Sequence, residues 1–560
     1  MSREERAASI ILRGVENTRM PAGLLSKTYL VIDDFPDMRA AIRSIIRSIG
    51  ATQVDQARDG KEAIDLMQKT RYDIILCDYN LGPGKDGQQI LEEARYRQLI
   101  GVDTIFVMIT AENTRDMVMG AVEHIPDSYL SKPFTKELLQ KRLEKLYARK
   151  ADLQTVNKAL MAKNYNAAIA ELDRLISTNP KNLSELLKLK AETCITTSRY
   201  DDAKEIYDQV LDAREIPWAR LGLGKVQFYK TDYPQARETF EQLIAQDPNL
   251  ILAYDWLAKT QSALKEFTVA EKTLQTAVKL SPRGLKRQQL LGDLALGNGD
   301  SEQAEIAYEH AVTLAKNSVL NHPALFAGLA KSKSANNKHT EALKVIADIG
   351  KKFQGSDEAA FYVASTTALV KHSQGDTEGA QEAMHAAEAA MKDLGARAQD
   401  HLFALEMATT YSELDETDKA AALLHQTIAN NHDEHECLAQ IVQICSKAGI
   451  EYDAEKAIRE IRQHVVKTNN AGVRLIKQGD FDAAITLLRE AAEEMPANKT
   501  INLNVAKAII MKMEQAGATS EDILAVRHYV ERVQGLAPGD WRVADILLRL
   551  RQLAPKASGE

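Results

Sequence analysis

Cysteine is scarce in this chain: four in 560 residues, Cys77, Cys194, Cys437 and Cys445, scattered along it. That excludes a disulfide framework and suits a reducing compartment, so a cytoplasmic location is expected. Positive charge is not in excess. Lysine and arginine number 71 against 79 aspartate and glutamate, a formal net charge of −8. A nucleic-acid-binding protein usually shows a basic face, and no helix-turn-helix module is evident, so direct binding to nucleic acid is not expected. Long apolar runs are missing as well. Residues 1–25 are of mixed charge with no apolar core, which gives neither a secretory signal nor a membrane anchor. They read as a flexible arm or a short helix, with Met20 an alternative start.

The first third is rich in something else. Short runs of branched apolar residues, Tyr29-Leu30-Val31-Ile32, Ile74-Ile75-Leu76-Cys77 and Ile105-Phe106-Val107-Met108-Ile109, suit strands buried on both faces of a parallel sheet. A last strand carries Tyr129, and a weaker signal at Thr52-Gln53-Val54 makes five. Helical patterns follow each: Asp37 to Ile49, Lys61 to Lys69, Gly87 to Arg97, Thr114 to Glu123 and Thr135 to Arg149. Strand and helix alternating in this way predict a doubly wound five-stranded parallel sheet. Ligands in such folds sit beyond the carboxyl ends of the strands.

Asp33, Asp34, Asp78, Thr110 and Lys132 all fall at those ends. Three carboxylates close together repel, so one must protonate or a cation must sit among them. Mg²⁺ suits them, because it accepts few carboxylates, keeps waters and bridges to phosphate oxygens. A carboxylate beside it can attack phosphorus to give an acyl phosphate, while a lysine and a hydroxyl steady the transferred group. Asp33 and Asp34 fit the metal pocket, Asp78 the nucleophile, Lys132 the fixed cation and Thr110 the hydroxyl. Taken singly, these are a helix cap, a turn opener and a surface lysine. Five together at strand ends make a phosphoryl site the better reading.

The stretches Val31-Ile32-Asp33-Asp34, Leu76-Cys77-Asp78-Tyr79-Asn80-Leu81, Ile109-Thr110-Ala111 and Tyr129-Leu130-Ser131-Lys132-Pro133-Phe134 resemble the receiver domain of bacterial two-component response regulators. The resemblance covers residues 26–149 and implies a flavodoxin-like fold. It implies that Asp78 accepts a phosphoryl group from a sensor histidine kinase or phosphotransfer protein. Asp34, Asp78 and the Asn80 backbone carbonyl would hold Mg²⁺, with Asp33 reaching it through water. Thr110 and Tyr129 look like the family's switch pair, and Lys132-Pro133 like its cis-peptide site. A homodimer through the receiver is also open. The segment Leu81 to Gly87 is one residue longer than the family's common loop and should alter the entrance. Asn80 and Glu112 are polar, as in rapidly reset chemotaxis receivers, which points to a short-lived acyl phosphate.

Beyond residue 150 strand signals vanish. A first residue, alanine three on and a large residue four further recur in Tyr165-Ala168-Leu172, Tyr200-Ala203-Tyr207, Tyr233-Ala236-Phe240, Phe267-Ala270-Leu274 and Phe481-Ala484-Leu488. Weaker copies start at Ser301, His339, Thr377 and Thr417. The alanines are spaced by 35, 33, 34, 34, 38, 38, 40 and 64 residues. Small residues Gly224, Ala258, Gly292 and Gly472 stand twelve before a central alanine. This pattern resembles tetratricopeptide repeats. An all-α solenoid of about nine to eleven helical hairpins over residues 150–555 follows, with a concave groove. The widest gap leaves room for a degenerate copy around Tyr452 to Ile461, and Trp541 to Leu553 reads as a closing helix.

Two further groups stand out in the repeats. His425, His432, His435 and Cys437 have ligand types and spacing that zinc accepts, but they also fall where polar loop residues between repeats are routine. Trp218, Lys225, Phe228 and Tyr229 share one repeat helix. Aromatics and a cation on a concave face suit a peptide anchor, and packing between hairpins is the plainer alternative.

The leading expectation is a response regulator whose output is an unknown protein partner in the repeat groove. No enzyme activity is expected beyond the receiver's own phosphoryl transfer. The alternatives are a phosphatase-like output hidden in the repeats, or indirect transcriptional regulation through a DNA-binding partner. The repeats lack a glycine-rich phosphate loop and a nucleophile elbow, which counts against the first.

Overall fold

The structure is a computed structural model that describes residues 22–110, 125–178, 180–448, 452–537 and 539–553. The expected helix at Thr114 to Glu123, Glu112 and most of the N-terminal arm lie outside these residues. The chain forms two compact units: residues 1–161 with Ala315–Leu320, and Ala162–Leu314 with Asn321–Glu560.

In the first unit, strands β1 (Thr28–Ile32), β2 (Gln53–Ala57), β3 (Ile74–Asp78), β4 (Ile105–Thr110) and β5 (Ser128–Ser131) form a parallel sheet in the order β2-β1-β3-β4-β5. Every residue of β3 and β4 is buried, which explains their unbroken apolar sequence. Successive side chains take opposite faces. Tyr29, Val31, Leu76, Val107 and Ile109 pack with α1 (Pro36–Ser48) and α4 (Lys136–Asp152), whereas Leu30, Ile32, Ile75, Phe106 and Met108 pack with α2 (Gly60–Lys69) and α3 (Gly87–Tyr96). β2 is an edge strand in which only Val54 and Ala57 are buried, so its sequence signal is weak. Asp59, Asp86 and Thr135 cap α2, α3 and α4 through backbone N–H groups. α4 stops at Leu153 and a new helix, Gln154–Met161, begins at once.

The second unit is built of successive helices, from Tyr165–Ser177 to the closing Trp541–Leu553. Each motif's first residue, Tyr165, Tyr200, Tyr233, Phe267, Ser301, His339, Thr377, Thr417 and Phe481, is the first residue of a helix. The central alanines are at most 1 % exposed. The position twelve before them receives the large residue of the same hairpin. A Cβ added at Gly224 would stand 2.5 Å from the Phe240 ring, and at Gly292 and Gly472 2.7 Å from Tyr308 and Leu488. The wider spacings have local causes. Asp357–Ser373 and Thr377–Asp393 are each 17 residues long, and a 3₁₀ turn at Gly395–Gln399 follows. Across the widest gap, Ala454–Gln478 runs as one 25-residue helix.

Charge is buried between two of these hairpins. Glu305 accepts hydrogen bonds from Lys333 (2.8 Å), Lys338 (2.8 Å) and Asn336 (2.6 Å). Burial opposes its ionisation, but those three donors outweigh it and hold its carboxyl at about 2 against an ordinary 4.5. A depressed folded value means stabilisation that is present above the unfolded value and lost as pH falls towards the folded one. Glu305→Gln should therefore lower the melting temperature at neutral pH and flatten the stability profile between about 4.5 and 2. Acid titrations of wild type and variant that run parallel in this window would contradict the assignment.

Candidate phosphoryl-acceptor site

The end of each central strand contributes one part of the site. Asp33 leaves β1 fully buried; its backbone N–H bonds the Ala57 carbonyl at 3.2 Å and its Oδ1 accepts from Phe35 N at 2.9 Å. Asp78 closes β3, 6 % exposed, opposite Ile109 in the register. Carboxylate oxygens of Asp33, Asp34 and Asp78 lie within 4.8 Å of one another. Lys132 follows β5 and reaches back across the sheet. Its Nζ donates to Asp33 Oδ2 at 2.7 Å and to Asp78 Oδ2 at 2.9 Å. The Lys132–Pro133 peptide is cis. Thr110, the last residue of β4, is buried beside them in the sheet order.

The electrostatics are those of a site short of positive charge. Burial is the main force raising the Asp78 carboxyl above its ordinary value; Asp33 adds to it and Lys132 restrains it. Burial likewise opposes the Lys132 charge, but Asp33 and Asp78 outweigh it and raise that group. One ammonium thus answers three carboxylates. Asp34 Oδ1 is buried with no hydrogen-bond partner. An orphaned carboxylate oxygen is costly unless a cation meets it. The missing charge and the all-oxygen donor set fit Mg²⁺.

Tyr129 is half-buried against the sheet face that holds Cys77, Tyr79 and Met108. Its hydroxyl is buried without a partner, and burial pushes it up to about 12. Asn80 is exposed two residues beyond Asp78. Sequence reasoning passed over two glycines here. A Cβ at Gly87 would stand 2.4 Å from the Asp78 carbonyl oxygen, and one at Gly82, where φ is 69°, would stand 3.4 Å from Asp34 Oδ2. Glycine in a loop at a strand end was the available signal.

In the repeats, Phe228 is 3 % exposed and touches Trp256, Tyr233 and His435, with ring centroids 5.2 to 5.5 Å away. Tyr229 is half-buried and stacks on Tyr200 at 5.4 Å, and Lys225 Nζ lies 5.3 Å from the Trp256 ring. Trp218 packs edge-on against Tyr207. The histidines considered as zinc ligands have separate partners: Tyr452 for His425, Asn498 for His432 and Tyr233 for His435. Cys437 is buried in an apolar cluster. Among the described residues, only Asp33, Asp34 and Asp78 form a group able to hold a metal. No helix among them is long and apolar enough to cross a membrane.

Comparison with known proteins agrees with this geometry. A family model described as the response regulator receiver domain matches residues 29–144, and two described as tetratricopeptide repeats match 218–250 and 285–318. The chemotaxis protein CheY of Pseudomonas aeruginosa is 32% identical over 120 residues, 21% of this chain and 95% of that protein. The solved CheY4 of Vibrio cholerae shares 27% identity over 22% of this chain and 98% of its own, with a TM-score of 0.20. A tetratricopeptide repeat protein from Parabacteroides merdae covers 43% of this chain and 92% of its own at 15% identity and a TM-score of 0.30. The chain therefore belongs to the response regulator receiver family, its receiver domain followed by tetratricopeptide repeats in the C-terminal region.

Proposed function

We propose that the protein is a two-component response regulator, phosphorylated on Asp78 by a histidine kinase or phosphotransfer protein, whose repeats signal by binding a protein partner. The observation that carries the phosphoryl chemistry is the triad of carboxylates that shares Lys132 and leaves Asp34 Oδ1 orphaned. Asp34, Asp78 and the Asn80 carbonyl would hold Mg²⁺, with Asp33 at one remove. When bound, the metal neutralises charge on the phosphoryl oxygens. Asp78 supplies the carboxylate nucleophile. Lys132, held between Asp33 and Asp78, steadies the transferred group, and Thr110 offers its hydroxyl to a phosphoryl oxygen. Tyr129, with no partner to hold its hydroxyl, is free to follow Thr110.

The output is protein binding in a cytoplasmic setting, with no direct contact to nucleic acid and no second catalytic centre. Lys225, Tyr229 and Trp218 are half-buried and keep some surface for a partner, while Phe228 is buried beside them. The test has two arms. Acetyl phosphate should label the protein with Mg²⁺ or Mn²⁺ and not in excess chelator. Beryllofluoride, which mimics the acyl phosphate, should change the set of proteins captured by the full chain. Labelling that survives the chelator defeats the first claim; identical captures with and without the mimic defeat the second.

A further inference from the structure

The second unit holds an open-mouthed cleft of about 450 Å³ between its helices. Helix His435–Ala448 forms one side of it. Lys259 pairs with Glu436 at 2.5 Å, Gln443 donates to Asn298 at 3.1 Å, and Gly297 admits the Gln443 amide where any Cβ would collide. The space that remains is of the size that holds a small organic molecule.

Its wall carries four carboxylates, Asp293, Glu406, Glu413 and Glu436, for three ammoniums, Lys259, Lys331 and Lys447. Lys331 donates to Glu406 Oε2 at 2.7 Å. Glu406 Oε1 is buried with no hydrogen-bond partner, on a side chain only 10% exposed. Asp293 accepts from the Tyr308 hydroxyl through Oδ1, and no lysine or arginine pairs with it among the described residues. Tyr308 is fixed in place, because its ring fills the space that Gly292 and Gly328 leave open. Burial above all raises the Asp293 carboxyl; Glu406 adds to this, while Tyr308 and Lys331 lower it. Asp293 nevertheless keeps accessible surface, and that surface lines the cavity. Each of the other two lysines on the wall, Lys259 and Lys447, already has its own glutamate. Tyr362 and Phe267 are the other aromatic residues of the lining besides Tyr308. A carboxylate without a counter-ion in such a place favours a cationic guest, and an aromatic wall favours one with an apolar body.

We propose that this cavity binds a small organic cation, a protonated amine or guanidinium on an apolar body, between Asp293 and Glu406. The inference rests on the repeats alone and holds whether or not Asp78 is phosphorylated. It commits to a free small molecule, since a volume of about 450 Å³ is of the size that holds one.

The probes are 2-phenylethylamine and agmatine, titrated calorimetrically into the full chain, with 2-phenylethanol as the uncharged counterpart and an arginine-containing peptide as a second source of the same group. The amines should bind, and the alcohol about tenfold more weakly or worse, because it leaves the carboxylates unanswered. Asp293→Asn should weaken amine binding by about tenfold. Lys331→Met removes the internal competitor and should tighten it, an effect that a purely structural lysine would not give. Binding of the alcohol as tight as the amine, an unaffected Asp293→Asn, or no amine binding up to about 10 mM overturns the proposal. Preference for the peptide over both amines overturns the small-molecule assignment. If either variant fails to fold, the comparison of amine with alcohol on the wild type still decides it.

Discussion

Asp78→Asn is expected to abolish phosphoryl labelling by acetyl phosphate while leaving the protein folded. The amide keeps the shape of the carboxylate but has no electron pair able to attack phosphorus at a useful rate. The native site already resists ionisation there: burial raises the Asp78 carboxyl and the Asp33 charge adds to it. A neutral residue relieves that strain and costs one bond to Lys132, so the melting temperature should move by less than the equivalent of about 1 kcal/mol. Lys132→Met should act differently. It leaves the nucleophile in place but removes the cation that bridges Asp33 and Asp78, so labelling should slow by about 10²–10³-fold rather than vanish. Labelled Asp78→Asn protein, located by mass spectrometry on any other residue, would falsify the acceptor assignment. Equal loss in both variants would mean that the lysine is as indispensable as the carboxylate and does more than steady the transferred group.

The receiver was legible because its signals are local. β1, β3 and β4 are buried on both faces, so their residues are apolar without a break and read as strands. β2 gives a weak signal for the converse reason: as an edge strand it buries only Val54 and Ala57, and Gln53 to Ala57 holds three polar residues. The residues at the strand ends were visible as types, and their resemblance to a known family gave each a role. Their mutual arrangement was not, since Lys132 reaches Asp33 across almost a hundred residues of chain. The close approach of Gly87 to Asp78 was equally hidden.

The solenoid was legible where one methyl group is all that fits. Its central alanines keep a period that the eye can follow. The turn inside each hairpin left no such mark. The residue two before each motif's first residue has positive φ in all nine, yet only Gly299, Gly375 and Gly479 are glycine; the others are Lys163, Ser198, Thr231, Lys265, Asn337 and Asp415. Tertiary packing carries the conformational cost, so composition does not announce the turn. The helix Ala454–Gln478 escaped because a helical period that crosses a repeat boundary shows no seam. The cavity escaped because Asp293, Lys331 and Glu406 come from three separate hairpins.

Phe228→Ala is expected to cost about 3–5 kcal/mol in stability, the usual range for deleting a buried aromatic ring. Phe228 sits at the centre of a group in which Tyr229, Tyr233, Trp256 and His435 all present ring edges or faces to it. Its loss would leave a void between helix Pro217–Tyr229 and its neighbours, and in a repeat array such damage spreads to the adjoining units. Tyr229→Ala removes a half-buried ring stacked on Tyr200, so its effect on melting should be smaller. The pair separates packing from recognition. Partner capture that falls about tenfold in Tyr229→Ala, or in Lys225→Ala, with melting near that of the wild type marks a true contact surface. Capture that tracks only the loss of fold in Phe228→Ala places recognition elsewhere on the repeats. A Phe228→Ala chain that melts like the wild type would refute the core role of that ring.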